Sequence, residues 1–75
     1  MDIDRLGAVP AWVQVYEVLR AGITSGEYPR RTPLPSSRYI QEISGVSRPT
    51  VAKAYARLVA DGLVVMVPGR GPHVK

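Results

Sequence analysis

The stretch from Val46 to Gly62, VSRPTVAKAYARLVADG, has the pattern of an amphipathic helix. Ser47 is a good N-cap because its hydroxyl can accept a hydrogen bond from a backbone N–H group in the first turn. Pro49 falls in that turn, where a missing N–H group costs nothing. Gly62 suits a left-handed C-cap. Apolar residues recur at intervals of three and four, which predicts one buried face made of Val51, Ala54, Tyr55, Leu58 and Val59.

The other side of this helix is interpreted as one polar face that carries Arg48, Thr50, Lys53 and Arg57. A helix N-terminus that also bears positive side chains is well placed to meet phosphate. The alternative, a solvated basic face with no ligand, stays open from this stretch alone.

Composition narrows the class of protein. At 75 residues the chain is one small domain with a modest core. It has no cysteine and a single histidine, so we expect no disulfide, no metal site and no cofactor. No apolar run reaches membrane-spanning length and no signal peptide is visible, and we expect a cytoplasmic protein. Residues 28–75 hold eight of the ten Lys and Arg residues but two of the six acidic ones, as expected of a polyanion-binding surface.

A second amphipathic helix should begin after Pro10 and end near Ser25-Gly26. Residues 1–9 lack a clean period, and residues 1–8 are predicted to form a loosely held arm. Leu6 or Val9 is expected to touch the core. The proline-rich segment Tyr28–Pro35 should be an extended connector, with a short edge strand at 32–34. Ser36 can cap a short helix whose apolar side holds Tyr39, Ile40 and Ile43.

This order of elements predicts the fold. A short helix, a turn at Gly45 and a longer helix form a helix-turn-helix pattern. The β-branched run after Gly62, the turn Gly69-Arg70-Gly71 and the final residues predict a hairpin. The fold class is therefore α+β, mainly α: three helices with a C-terminal β-hairpin wing over residues 9–75. The predicted core consists of Trp12, Val15, Leu19, Ile23, Ile40, Ile43, Val51, Tyr55, Leu58, Leu63 and Val65.

Ordered motifs across residues 9–74 resemble the winged helix-turn-helix DNA-binding domain of GntR-type bacterial transcription regulators, closest to the MocR and YtrA branches. The shared features are Pro10 with Gln14, Gly26-Glu27, Leu34-Pro35-Ser36 with Arg38, Gly45-Val46-Ser47-Arg48, Thr50-Val51, Leu58, Asp61-Gly62-Leu63, and Gly69-Arg70-Gly71 with Val74. The resemblance implies a double-stranded DNA partner and DNA contacts from Arg38, Ser47, Arg48, Thr50, Gly69 and Gly71.

Further contacts follow from residue chemistry. Pro49 offers only apolar contact, as with a thymine methyl group, and Lys53 could reach a phosphate or a base. Arg70 suits a narrow minor groove, or is an exposed charge at a hairpin tip. Two residues depart from the family pattern: Ala52 stands where many members carry a polar or basic base-contacting residue, and Pro49 stands where many carry Thr. These departures bear on which bases are read, not on whether DNA is bound.

The resulting hypothesis is a sequence-specific DNA-binding transcriptional regulator, a repressor in most of the family, and not an enzyme, because no catalytic constellation appears. An architectural or accessory DNA-binding protein and a winged-helix protein–protein module remain alternatives. Family members usually continue into an effector or dimerisation domain. No effector domain is visible in this chain, which is either a piece of a longer protein or a stand-alone module. A homodimer on DNA stays open.

Overall fold

A computed structural model describes residues 1–75 and has three helices followed by a two-stranded antiparallel hairpin. The elements are α1 (Ala11–Ser25), α2 (Ser37–Ser44), α3 (Arg48–Ala60), β1 (Val64–Val67) and β2 (Gly71–Val74). The predicted fold class and element order are confirmed. None of the helices has the length and apolar character needed to cross a membrane.

A short polar side chain and a glycine set the two ends of α2, as the sequence predicts. The Ser36 hydroxyl accepts a hydrogen bond from the backbone N–H of Tyr39 at 3.1 Å and begins α2. Gly45 ends α2 with a φ of 72°, a left-handed conformation that costs glycine little. At the end of α3 the prediction of Gly62 as the C-cap is wrong: the cap is Asp61, and the left-handed Gly62 follows it.

The core lies where α1, α3 and the hairpin meet. It contains Val15, Tyr16, Leu19, Leu34, Ile40, Val46, Val51, Ala54, Tyr55, Leu58, Val64 and Val74. Trp12, Ile23 and Leu63 are partly buried against its edge.

Two predicted core residues are wrong: Ile43 and Val65 are 38 % and 44 % exposed. The short α2 turns only Ile40 fully into the core, so the position one turn later lies at the margin. Side chains alternate across a strand, and Val64 takes the inward position in β1, which turns Val65 outward. Val59 of α3 is also at the margin, 39 % exposed.

The proline-rich connector lies beside β2 and forms the predicted edge contact. Pro33 makes a single antiparallel bridge to His73. The backbone N–H of Leu34 donates to the Pro72 carbonyl at 3.0 Å, and that of Val74 donates to the Thr32 carbonyl at 2.9 Å. The hairpin is therefore held to the helical body along one edge.

The arm before α1 is folded back onto the domain. Met1 and Ile3 pack against the core, whereas Leu6 and Val9, the predicted contacts, are 99 % and 50 % exposed. Gln14 holds the backbone of the arm: its Oε1 accepts from the Asp4 N–H and its Nε2 donates to the Asp4 carbonyl, each at 2.7 Å. The prediction of a loosely held arm is therefore wrong: the arm is hydrogen-bonded to Gln14 of α1 and packed on the core.

Candidate nucleic-acid interface

The first turn of α3 is organised by Ser47 and Thr50. The Ser47 hydroxyl accepts from the backbone N–H of Thr50 at 3.4 Å, and the two side-chain oxygens are 2.9 Å apart in a mutual hydrogen bond. The main structural role of these two hydroxyls is therefore to cap the N-terminus of α3. Arg48 and Pro49 between them are exposed.

Arg48 lies at a groove of about 340 Å³ between α3, the start of α2 and the hairpin. Ser37, Met66 and Pro72 also line this groove. The ion pairs of the structure involve Arg20, Arg38 and Arg57 but not Arg48. The guanidinium of Arg48 is thus an exposed, unneutralised cation beside the wing.

Lys53 and Arg57 lie on a different side of α3 from Arg48. The Lys53 ammonium is 5.0 Å from the centroid of the Trp12 ring, and the Arg57 guanidinium is 5.6 Å from that of Tyr16. The prediction of one basic face is wrong for a simple reason. At 3.6 residues per turn, Arg48 and Arg57 are about 180° apart around the helix axis.

Arg57 belongs to a polar cluster that joins the end of α3 to α1. Its Nε donates to Asp61 Oδ1 at 3.1 Å, and the Tyr16 hydroxyl donates to Asp61 Oδ2. The Tyr16 hydrogen bond, and after it the Arg57 hydrogen bond, lower the pKa of Asp61, while the same hydrogen bond to Asp61 raises the pKa of Tyr16. These contacts link α1 to the end of α3, and the charge of Arg57 is paired with Asp61 within the protein.

Arg38 is exposed on α2 and forms a surface ion pair. Its Nε is 3.4 Å from Glu42 Oε1, and its side chain is 90 % exposed. Exposed pairs at this spacing are worth at most about 1 kcal/mol. The pair therefore orients Arg38 without preventing it from meeting another anion.

The wing tip is a tight turn with one exposed cation. The Arg70 N–H donates to the Val67 carbonyl at 2.9 Å, and the central pair Pro68-Gly69, with a φ of 73° at Gly69, is typical of a type II turn. Gly71 also has a positive φ of 84°. The structure therefore needs glycine at both predicted positions for backbone conformation, and presents Arg70 between them.

One cation near this surface was not predicted from the sequence. Arg5, in the arm, donates from Nη2 to the Gly45 carbonyl at 2.5 Å, in the turn that leads into α3. Forty residues separate the two in the chain. A local pattern carries no sign of a contact over that separation.

Comparison with known proteins places this arrangement in a family. Residues 12–74 match the family model described as bacterial regulatory proteins, gntR family. The chain is 39 % identical over 74 residues to the HTH-type transcriptional repressor NagR of Bacillus subtilis (strain 168), covering 99 % of this chain and 30 % of NagR. It is 42 % identical over 72 residues to the probable rhizopine catabolism regulatory protein MocR of Rhizobium meliloti, covering 96 % of this chain and 15 % of MocR. The chain therefore spans less than a third of either relative.

Solved structures give the same result at the level of the fold. The AraR DNA-binding domain in complex with operator ORE1 superimposes with a TM-score of 0.93 at 30 % identity, covering 100 % of this chain and 98 % of that one. YtrA from Sulfolobus acidocaldarius, a GntR-family transcription factor, gives a TM-score of 0.86 at 36 % identity, covering 97 % and 77 %. On the family match over residues 12–74, this chain belongs to the GntR family of bacterial regulatory proteins.

Proposed function

We propose that this chain is the double-stranded DNA-binding module of a bacterial transcriptional regulator of the GntR type, with α3 in the major groove and the wing at the minor groove or the backbone. The observation that carries the proposal is the first turn of α3. It presents Arg48 and Pro49 to solvent, beside the wing, on a fold shared with a DNA-binding domain crystallised on its operator. In helix-turn-helix docking the N-terminal end of the recognition helix, here α3, meets the base edges.

Arg48 is proposed to select bases. Its guanidinium can present two parallel N–H groups to guanine O6 and N7, and it has no carboxylate partner to displace. Pro49 next to it can contact a thymine methyl group. Ser47 and Thr50 support this turn through their mutual hydrogen bond. One hydroxyl donates its only proton to the other in this bond, so one of the two retains a proton to donate to a phosphate oxygen.

The remaining proposed contacts are to the backbone. Arg38 would exchange Glu42 for a phosphate at little cost, since the pair is exposed. Lys53 would have to leave the Trp12 ring, which costs about 0.5–1 kcal/mol for an exposed cation–π contact, so its share is smaller. In the wing, Gly69 and Gly71 bring the backbone close to the sugar-phosphate chain, and Arg70 reaches into the minor groove.

The relatives support the finer assignments. NagR and the histidine utilization repressor of Pseudomonas aeruginosa, 35 % identical over 73 residues, are both named repressors. We therefore propose repression, a cytoplasmic location where the chromosome is accessible, and no enzymatic activity. One copy should cover one half-site, with a homodimer forming on two half-sites spaced by the helical turn.

The test separates base selection from backbone contact. A duplex selected from a random genomic pool and a scrambled duplex of equal composition are titrated with wild type, Arg48→Ala and Arg38→Ala at several salt concentrations. Arg48→Ala should cost about 1–3 kcal/mol on the selected duplex and relax preference at one base pair. Arg38→Ala should weaken both duplexes equally and make the salt slope shallower by about one unit.

The outcomes distinguish the alternatives. Absence of duplex binding at low salt contradicts the proposal and favours a protein–protein module. Binding with no enriched sequence in the genomic pool favours an architectural or accessory protein. Equal loss on both duplexes for Arg48→Ala makes Arg48 a phosphate contact, and base selection then falls to Thr50, Lys53 or the wing.

A further inference from the structure

The N-terminal arm brings a cation to the helix-turn-helix that neither the motif nor the wing accounts for. Gln14 fixes the backbone of the arm at Asp4 by reciprocal hydrogen bonds of 2.7 Å, and its Nε2 also donates to the Val9 carbonyl at 2.9 Å. Ile3 is packed against the core. The residue after this anchored segment, Arg5, is therefore directed to a defined place and is not part of a free tail.

That place is the turn between α2 and α3. Arg5 Nη2 donates to the carbonyl of Gly45, the C-cap residue of α2, at 2.5 Å. Gly45 stands two positions before Ser47, the N-cap of α3. A guanidinium has five N–H donors in a rigid plane, so one bond to Gly45 leaves the rest of the plane available beside the entrance to α3.

The charge of Arg5 is not neutralised within the protein. The ion pairs of the structure belong to Arg20, Arg38 and Arg57. The neighbouring carboxylate of Asp4 is turned toward its own backbone, where Oδ1 accepts from the N–H groups of Leu6 and Gly7 at 3.0 Å each. Arg5 is itself exposed.

We propose that Arg5 is a phosphate-binding residue of the DNA interface, positioned by the arm against the helix-turn-helix turn. The inference rests on the proposed function and adds to it a contact from outside the winged-helix motif. The Gly45 carbonyl and a phosphate oxygen are both acceptors, so the guanidinium can bridge them, which fixes the turn relative to the DNA backbone. Such a contact carries register and affinity but no base preference.

The experiment compares Arg5→Ala with Arg30→Ala, using the same two duplexes across salt. Arg30 is a matched control because it is also exposed and free of ion pairs, but lies at the cavity beside Ser25 and Lys75. Arg5→Ala should weaken both duplexes by the same factor and reduce the magnitude of the salt slope by about 0.9, the value for one phosphate. Arg5→Lys, which keeps the charge, should restore most of the slope, and Arg30→Ala should leave it near wild type.

Three results would overturn the inference. The first is equal slopes for Arg5→Ala and Arg30→Ala. The second is a lower melting temperature for Arg5→Ala with an unchanged slope, which makes Arg5 only a structural latch on Gly45. The third is loss confined to the selected duplex. If wild type and Arg48→Ala differ as proposed while Arg5→Ala matches the control, this inference fails and the proposed function stands; if wild type binds no duplex, both fail.

Discussion

Replacing Leu58 by alanine should remove a large part of the stability of this domain. Leu58 is completely buried in the core. The change deletes about three methylene equivalents, worth about 0.8 kcal/mol each, or about 2.4 kcal/mol of transfer free energy. The cavity left behind adds to this, and buried Leu→Ala changes cost about 2–5 kcal/mol in total. A domain of this length has about 4–11 kcal/mol of net stability.

Urea and thermal unfolding followed by helical circular dichroism measure this loss. At about 4–8 °C per kcal/mol, the melting temperature should fall by at least about 10 °C. Val59→Ala is the matched control, because Val59 is the next residue on α3 but is 39 % exposed. Alanine also has a better helix propensity than valine by about 0.5 kcal/mol, so this variant should unfold close to wild type. Equal destabilisation by the two variants would refute the assignment of the buried face.

Two further predictions concern pH. The Tyr16 hydroxyl, and after it Arg57, lower the pKa of Asp61 below its ordinary value of 3.8, so the stability that ionised Asp61 contributes is present above about pH 4 and lost as pH falls through the lowered pKa. In thermal melts at decreasing pH, the melting temperature should therefore fall less steeply for Asp61→Asn than for wild type. Parallel curves of melting temperature against pH would contradict the role of the cluster. Burial raises the pKa of Tyr55 from 10.0 to about 12, so the stability contributed by the protonated hydroxyl is complete below about pH 10 and lost as pH rises through about 12. Tyr55→Phe should lose about 1 kcal/mol of stability at neutral pH, because the hydrogen bond to the Pro35 carbonyl is missing, and its melting temperature should then fall less steeply than that of wild type at alkaline pH. An equally steep alkaline fall in melting temperature would refute the role of the Tyr55 hydroxyl.

Local chemistry accounts for the parts of the fold that the sequence predicts. Ser36 and Ser47 cap their helices as expected because a cap depends on residues within three positions of it. The wing turn is equally local: the sequence predicts it from Gly69-Arg70-Gly71, and its central pair in the structure, Pro68-Gly69, favours one turn type. Helix periodicity identifies Val51 and Leu58 as buried for the same reason.

The residues whose positions were not predicted correctly depend on contacts between segments that are distant in the sequence. Whether Val64 or Val65 faces inward follows from the register of β1 on β2 and from how the hairpin is docked, because a shift of one residue reverses both faces. The position of Arg5 depends on the course of an arm whose anchor, Gln14, lies in another element. Among the candidate DNA-binding residues, the contact of Lys53 with the Trp12 ring could not be predicted, because it depends on how α1 packs against α3.

The faces of α3 explain why base selection is assigned to so short a segment. Beyond the first turn, the cations Lys53 and Arg57 lie over aromatic rings of α1. The exposed positions Ala52 and Ala56 on the groove side carry no hydrogen-bonding side chain. A helix of this kind can approach the floor of a groove closely, but it offers directional donors only at its start. Specificity in the proposed complex must then come from Arg48, from apolar contact and from the fit of the wing, while cations outside the helix supply affinity.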